Sequence, residues 1–391
     1  MKLGPWTITP SMLLTNVGVD TNVLNSNGEP RSDFTATIGP VLDGLYKGPA
    51  LTVEARATAG YVYYRTFQNQ GGLSPTLLLA TEYRLGPRIT VFSNDQLLYV
   101  KDRPTVEVDT RSRRFTSDLG LGVGVGIARK IRLDLEQRFR KTEYHANAVF
   151  RDIQLRQPLN DRVTLTSATL NYQLTPYTAL RAMAVIERDQ YPLTPIRDGH
   201  AHEYALGVQF NPRALLAGDV RVGYRVFRSG SPLQPDYHGA IYDGRVMYTL
   251  SDSTGLMAGM HRFVVPSYDL INPYFLATQY EGGLQQRLGR RFDTGVSYTY
   301  YDLAYRTLKT ITAPPLPYGS NLERAYTGSV GLLTRRWGRY ALYAQRWQRR
   351  YLLHDERNYD NLRFGFMITS TRWLTATSGF GRGIFLNAPG L

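Results

Sequence analysis

Arginine is the residue type with the most chemistry to offer in this chain. Of its 46 basic residues only six are lysine, set against 32 acidic residues. A guanidinium is a planar, permanently charged fork that grips carboxylates and phosphates through paired hydrogen bonds. Arg56, Arg84, Arg132, Arg138, Arg140, Arg181, Arg221, Arg225, Arg245, Arg287 and Arg363 recur on the polar side of alternating segments. Asp134 and Glu136 share those faces, as do Glu54, Glu82, Asp118, Glu187, Glu203, Asp219, Asp243, Glu281 and Asp293. Two readings follow. Rings of charge set selectivity in pores, so these residues can line a passage and give counter-charge and orientation to an anionic solute or acidic polymer. Equally, they can tie a wall together with salt bridges and do nothing else.

Other chemistries find less support. Six histidines are present, at 145, 200, 202, 238, 261 and 354, most of them read as lying in or beside long links. His200 and His202 are two residues apart and can share a strand face, but no further ligands stand at a recognised metal spacing. No local signature joins a serine or aspartate to a histidine, as acyl-transfer chemistry needs. The chain has no cysteine, which excludes a disulfide framework, a thiolate metal site and a cysteine nucleophile. The expectation is therefore a protein that is not an enzyme, with no catalytic residue, no metal and no cofactor. The run Gly120-Leu121-Gly122-Val123-Gly124-Val125-Gly126 lacks the spacing and following helix of a phosphate loop. Its glycines fall on the polar face. They mark either a thin patch of wall with room for a loop or a wide passage, or a bend. The formal charge is +14. Because acidic residues lie close to the arginines along the chain, a mutually neutralised wall is favoured over a nucleic-acid patch, and no nucleic-acid partner is expected.

The elements that must carry these residues alternate with period two. Ile131, Leu133, Leu135 and Phe139 fall on one face of a segment, and Arg132, Asp134, Glu136, Arg138 and Arg140 on the other. Val220, Val222, Tyr224 and Val226 alternate with Asp219, Arg221, Gly223 and Arg225, and Leu362, Phe364, Phe366 and Ile368 with Arg363, Gly365, Met367 and Thr369. Successive strand side chains point to opposite faces. The segments run for about 10 to 15 residues, longer than the usual soluble strand of about 5 to 6 and long enough for a tilted membrane strand of about 9 to 11. A mid-membrane arginine on the lipid face costs about 2 to 4 kcal/mol, so the charged faces must point inward.

Connections alternate in length. Short turns stand near 46-49, 86-87, 128-130, 175-177, 251-253, 289-290, 336-338 and 370-372. Long links run through 101-112, 144-160, 190-200, 229-237, 265-273, 306-320 and 351-358. Short turns on one side and long loops on the other describe an outer-membrane barrel. Aromatic girdles are expected from Tyr61, Tyr63, Tyr64, Tyr298, Tyr300 and Tyr301 near the loops, and from Tyr83, Tyr172, Tyr248, Trp337, Tyr340 and Trp373 near the turns. Basic clusters at Arg111, Arg113 and Arg114 and at Arg335, Arg336 and Arg339 are either headgroup contacts or solvated turn charge. No run of about 18 apolar residues provides a transmembrane helix. The start of the chain reads as mature sequence from which an export signal has been removed. The reading is all-β: one domain, residues 1-391, forming a transmembrane antiparallel up-and-down β-barrel of about 18 strands, within 16 to 20.

Several stretches resemble a known family: Gly18-Val19-Asp20-Thr21-Asn22-Val23-Leu24, Ser32-Asp33-Phe34 with Gly39-Pro40, Arg103-Pro104 with Glu107-Val108-Asp109, Asn272-Pro273-Tyr274, and Tyr359-Asp360-Asn361. In this order they are similar to outer-membrane β-barrel porins linked to exopolysaccharide export and secretion. The resemblance implies a barrel in the outer membrane of a Gram-negative-type envelope. It also implies a polysaccharide-related passage. Outer-membrane lipids and lipopolysaccharide, a polysaccharide or anionic solute, and a periplasmic export partner are the expected partners. The competing expectation is a closed barrel that anchors an envelope export or adhesion machine. Such barrels finish on a strand ending in an aromatic residue, whereas this chain ends Asn387-Ala388-Pro389-Gly390-Leu391.

Overall fold

The computed structural model describes residues 2-211, 215-311, 321-334, 338-351 and 355-369. Its framework is eighteen antiparallel strands closed into a barrel. In chain order they are β1 (Trp6–Asp20), β2 (Asp33–Lys47), β3 (Leu51–Tyr64), β4 (Gly72–Leu85), β5 (Ile89–Asp102) and β6 (Ser112–Ala128). There follow β7 (Ile131–Tyr144), β8 (Asp161–Thr175), β9 (Thr178–Gln190), β10 (Gly199–Phe210), β11 (Leu216–Ser229) and β12 (Tyr237–Ser251). The last six are β13 (Thr254–Pro266), β14 (Tyr274–Leu288), β15 (Phe292–Arg306), β16 (Asn321–Thr334), β17 (Gly338–Tyr351) and β18 (Tyr359–Thr369). Each strand pairs with the next, and β18 returns to β1 through Val17–Phe366 and Asp20–Arg363. Closure leaves no unpaired edge, which a backbone surrounded by lipid requires.

Alternation decides which way each residue faces. Leu206, Val222, Ile186, Phe139 and Leu342 stand exposed on the outer surface. Their chain neighbours Ala205, Arg221, Glu187, Arg138 and Ala341 turn inward and are buried or half-buried. Among the described residues no helix is long and apolar enough to cross a membrane. The tight turns use glycines in the left-handed conformation that other residues adopt only with strain: Gly86 (φ 80°) between β4 and β5, and Gly289 (φ 66°) between β14 and β15. The expected short turn at 336-338 falls partly, and that at 370-372 wholly, outside the described residues, as do the chain end, Trp337, Trp373, His354, Arg335 and Arg336.

Two expectations about facing need correction. Tyr64 and Tyr301 do not join the outer girdles. Both sit one residue out of phase with their outward neighbours, so Tyr64 is buried beneath Arg111 and Tyr301 stacks on Trp347. Tyr61, Tyr63, Tyr280, Tyr298 and Tyr326 do face outward. On β12 to β16 the tyrosines form a ladder in which Tyr242 and Tyr280 share a hydroxyl hydrogen bond of 2.8 Å and Tyr298 lies 5.0 Å from Tyr326.

The loop side holds the covered apolar core. Loop 145-160 contains a two-residue hairpin, Val149–Phe150 against Ile153–Gln154, and a short helix α1 (Arg156–Leu159). Leu155, Leu159 and Ala148 of that loop pack with Val108 of loop 103-111 and with Tyr268. Val106 packs beside Phe275, Leu303 and Tyr351 of β14, β15 and β17. Loop 103-111, which leaves the barrel at β5 and β6, thus reaches strands on the far side and lies across the mouth. Burying Val108 alone contributes about 1.5 to 3 kcal/mol to holding it there.

Candidate functional site

The inner wall is built from guanidinium–carboxylate pairs. Antiparallel register sets like positions of neighbouring strands side by side, so each arginine reaches an acid on its own or a neighbouring strand. Arg56 meets Asp43 at 2.6 Å. Arg132 meets Asp134 at 2.6 Å, and Asn171 donates to the other oxygen of Asp134. Arg138 bridges Asp118 and Glu136 at 2.8 and 2.7 Å. Arg225 grips Glu187 with both nitrogens at 2.9 Å and lies 3.6 Å from Glu203. Arg221 approaches Asp243 at 3.2 Å. Arg245 forks onto Glu281, and Arg363 meets Asp20 at 2.9 Å. Arg140 stands among Asp161, Glu187, Asp118 and Asp189, and Arg181 faces Asp219. Arg84 and Arg287 sit at the turn-side rim, both exposed, Arg84 beside Glu82.

Sequence reasoning missed some members of this wall. Arg339 bonds Asp293, and Arg114 bonds Asp102. The basic cluster at 111-114 is therefore split by alternation: Arg114 turns inward, while Arg113 lies over the outward Tyr99 ring and donates to the Leu73 carbonyl. His261 is another such member, standing in mid-strand on the inner wall. Its Nδ1 lies 2.6 Å from Asp243 and its Nε2 3.6 Å from Glu281. The signal was the hairpin turn at 251-253, because counting back from it sets Asp243 opposite His261. Both ring nitrogens face carboxylates, so the side chain serves as a bridge in the wall. His200 and His202 do share a face, with ring centroids 6.1 Å apart, on the outside of the barrel.

The glycine run resolves into close packing. Gly120, Gly122 and Gly124 are buried on the inner face opposite Arg138, Glu136 and Asp134. A Cβ at Gly120 would lie 2.5 Å from Glu136, and at Gly124 2.1 Å from Arg132. At Gly122 it would lie 2.3 Å from the Phe92 ring. The space belongs to neighbouring side chains lying flat against the wall, not to an inserted loop or a wider passage.

This wall does not hold the chain's positive surplus. From Arg140 on β7 round to β14, Arg140, Arg181, Arg221, Arg225, Arg245 and His261 face Asp161, Glu187, Asp189, Glu203, Asp219, Asp243 and Glu281. The carboxylates at least match the cations. Beneath the loops, Arg140, Asp161, Glu187, Asp189, Arg197 and Arg225 help to line a cavity of about 60 Å³. That is room for several waters.

The mouth is closed by a polar lock around the apolar core. Arg349, only 1% exposed, bonds Glu323 at 2.6 Å, Asp109 at 2.5 Å and the Val106 carbonyl. The rings of Tyr359 and Tyr351 lie 4.7 and 5.2 Å from its guanidinium. Arg357 donates to the Glu107 carbonyl. The Glu107 carboxylate accepts from Ser267 Oγ at 2.7 Å and from the Tyr268 amide at 3.2 Å. Burial pushes Glu107 above the usual carboxylate range, against the opposing pull of Arg357. Arg103 donates to the carbonyls of Asp109 and Val23, both at 2.9 Å. Burial and the nearby Arg363 lower its guanidinium to about 10. Arg197 donates to the carbonyls of Pro158, Ser267, Pro273 and Asp269, clasping two loops together. Asn361 reaches the Asn22 carbonyl at 3.0 Å. Four of the five stretches that carried the family resemblance therefore meet at one place: Asn22, Val23, Arg103, Glu107, Asp109, Pro273, Tyr359 and Asn361 all belong to the lock. Long link 306-320, with its Pro314-Pro315-Leu316-Pro317 run, lies outside the described residues from 312 onward.

Comparison with solved structures agrees on the fold. The chain is similar to Pseudomonas aeruginosa OpdO at 11% identity and a TM-score of 0.50, covering 93% of this chain and 96% of that one. It also matches OccK5 (OpdH) of the same organism at 9% identity and a TM-score of 0.44, covering 92% and 96%. The siderophore receptor PirA of Pseudomonas aeruginosa matches at 10% identity and a TM-score of 0.41 over 88% of this chain. The chain spans 65% of that receptor's length. No curated protein sequence matches. A family model does match, over residues 1-314. The chain belongs to the family described as Putative beta-barrel porin 2.

Proposed function

We propose that this protein is an outer-membrane channel for polar solutes, with its mouth held shut by its own loops. The observation that carries the reading is the pairing of an apolar, aromatic-girdled outer surface with an inner wall of arginine–carboxylate pairs. Lipid dictates the first, and a water-filled lumen rewards the second. Because the described wall carries at least as many carboxylates as cations, it does not favour small anions as a class. Alternating donors and acceptors suit hydroxyl-rich solutes, and the Tyr301–Trp347 pair, at 6.3 Å, offers aromatic faces for sugar rings. A saccharide chain is the solute this wall fits best.

Conductance of refolded protein in a planar bilayer under a salt gradient tests the reading. We expect a mostly closed channel with brief openings, a reversal potential near zero or on the cation side, and block by neutral oligosaccharides. Strong anion preference would overturn the wall argument.

The packed loops favour a second reading. If a folded barrel shows no openings at any voltage, the protein is a closed anchor for an envelope machine with a periplasmic partner. The apolar core beneath loops 103-111 and 145-160 is then permanent.

A further inference from the structure

Most arginines inside this barrel have acidic partners, whereas on the outer rim of β7–β11 three stand without one. Lys141 and Arg162 stand side by side on the outer faces of β7 and β8. Arg188, His200 and Arg228 stand side by side on β9, β10 and β11. Arg162, Arg188, His200 and Arg228 are all exposed. Among the described residues, Arg162, Arg188 and Arg228 form no side-chain ion pair or hydrogen bond. The one outward carboxylate nearby, Glu143, is engaged by Lys141 at 2.8 Å. Elsewhere at the loop side the outward Arg346 is closed off by Asp360 at 2.5 Å, and Arg324 is exposed without an ion pair among the described residues; what sets β7–β11 apart is that its cations stand directly opposite one another on adjacent strands.

Their height is fixed by the strands. Tyr204 and Tyr224 face outward as cross-strand partners, and both are exposed above Leu206 and Val222. His200 and Arg228 lie four residues further toward the loops on the same strands. Four residues advance about 13 Å along a strand, or about 10 Å of height at the usual barrel tilt of about 40°. That step leads from the aromatic girdle into the headgroup layer. From Lys141 to Arg228 the row crosses four strand spacings, about 19 Å at about 4.8 Å each. The cations fall into two groups, Lys141 with Arg162, and Arg188 with His200 and Arg228. A guanidinium in this layer, unpaired within the protein, is matched by phosphate, which it binds in bidentate fashion. Two groups of cations match two phosphates carried on one saccharide headgroup.

We propose that the outer rim of β7–β11 binds the phosphorylated saccharide headgroup of lipopolysaccharide, with Arg162, Arg188 and Arg228 holding its phosphates. This rests on the outer-membrane reading above. The site anchors one arc of the barrel to the outer leaflet and leaves the lumen wall untouched.

The test uses full-length protein refolded in detergent, with barrel formation confirmed first by its heat-dependent gel shift. Failure at that step refutes the membrane reading rather than the lipid site. Folded protein is then titrated with lipopolysaccharide, dephosphorylated lipopolysaccharide, phosphatidylglycerol vesicles and inorganic phosphate, and bound lipid is counted by native mass spectrometry. We expect a saturable site for lipopolysaccharide. Binding should weaken at least tenfold on dephosphorylation, and at least tenfold in the Arg162→Ala, Arg188→Ala, Arg228→Ala triple variant. The three Arg→Lys changes should leave an intermediate affinity. The dephosphorylated ligand works on unaltered protein, so the proposal stays testable if the triple variant does not fold. Equal binding of the dephosphorylated lipid, equal binding by the folded alanine variant, or equal affinity for phosphatidylglycerol would each overturn it. So would saturation of the same site by inorganic phosphate alone.

Discussion

Replacing Arg349 with alanine should unlock the mouth without unfolding the barrel. The Arg349 and Glu323 side chains are 1% and 2% exposed, so removing the guanidinium leaves Glu323 charged and covered. Breaking such a pair from one side costs about 3 to 5 kcal/mol. The cost lasts only while loop 103-111 covers the site, because an open loop lets water reach Glu323. The closed-to-open ratio should therefore fall by about two to nearly four powers of ten, at about 1.4 kcal/mol per tenfold. Since the chain has no cysteine, a Val108→Cys reporter is unique, and Val108 is buried in the loop core. In the parent the reporter should be protected from a membrane-impermeant thiol reagent. With Arg349→Ala added, its labelling rate should rise by at least a hundredfold, alongside a higher open fraction in bilayers. Adding Glu323→Gln and Asp109→Asn to Arg349→Met removes both carboxylate charges along with the guanidinium and should restore most of the protection, because replacing a whole buried ionic group is often near neutral. Labelling unchanged within a few-fold in Arg349→Ala, with the barrel folded, would refute the lock.

Three further outcomes follow from the same geometry. Glu107 sits in a loop with its carboxyl raised by burial, so the closed state binds its proton more tightly than the open state, where water restores the ordinary value. Closure should strengthen as pH falls from neutral through the raised value and weaken again on returning to neutral. Open fraction measured against pH should show this trend in the parent and lose it in Glu107→Gln. Gly122→Ala should destabilise the barrel by about 1 to 3 kcal/mol, because the new Cβ meets the Phe92 ring at 2.3 Å and the Leu135 carbonyl at 2.8 Å. Gly124→Ala should cost less, since it meets the mobile end of Arg132, and thermal gel-shift midpoints will rank the two. Arg225→Ala leaves Glu187 and Glu203 without their shared guanidinium. The reversal potential should move toward cations, and an unmoved potential would mean that solutes do not pass this cluster.

The sequence by itself determined the class of fold and the facing of most residues. Period-two alternation cannot place Leu135 in lipid without placing Arg138 in the lumen, and a charge on the wrong side is too costly to tolerate. Strand length and the contrast between short turns and long links then specified an up-and-down barrel of about 18 strands. The expected girdles erred at Tyr64 and Tyr301, each one residue from an outward neighbour. What tertiary structure alone decided is pairing across distance. Asp243 meets His261 through a hairpin register. Arg349 meets Asp109 and Val106 across the mouth, over 240 and 243 positions of chain. No local pattern encodes those contacts, because they depend on closure bringing β17 within reach of a loop that leaves from β5. The same holds for charge. Composition gave the +14 surplus, but only the closed barrel shows the described lumen wall to be matched, with open arginines standing on the outer rim.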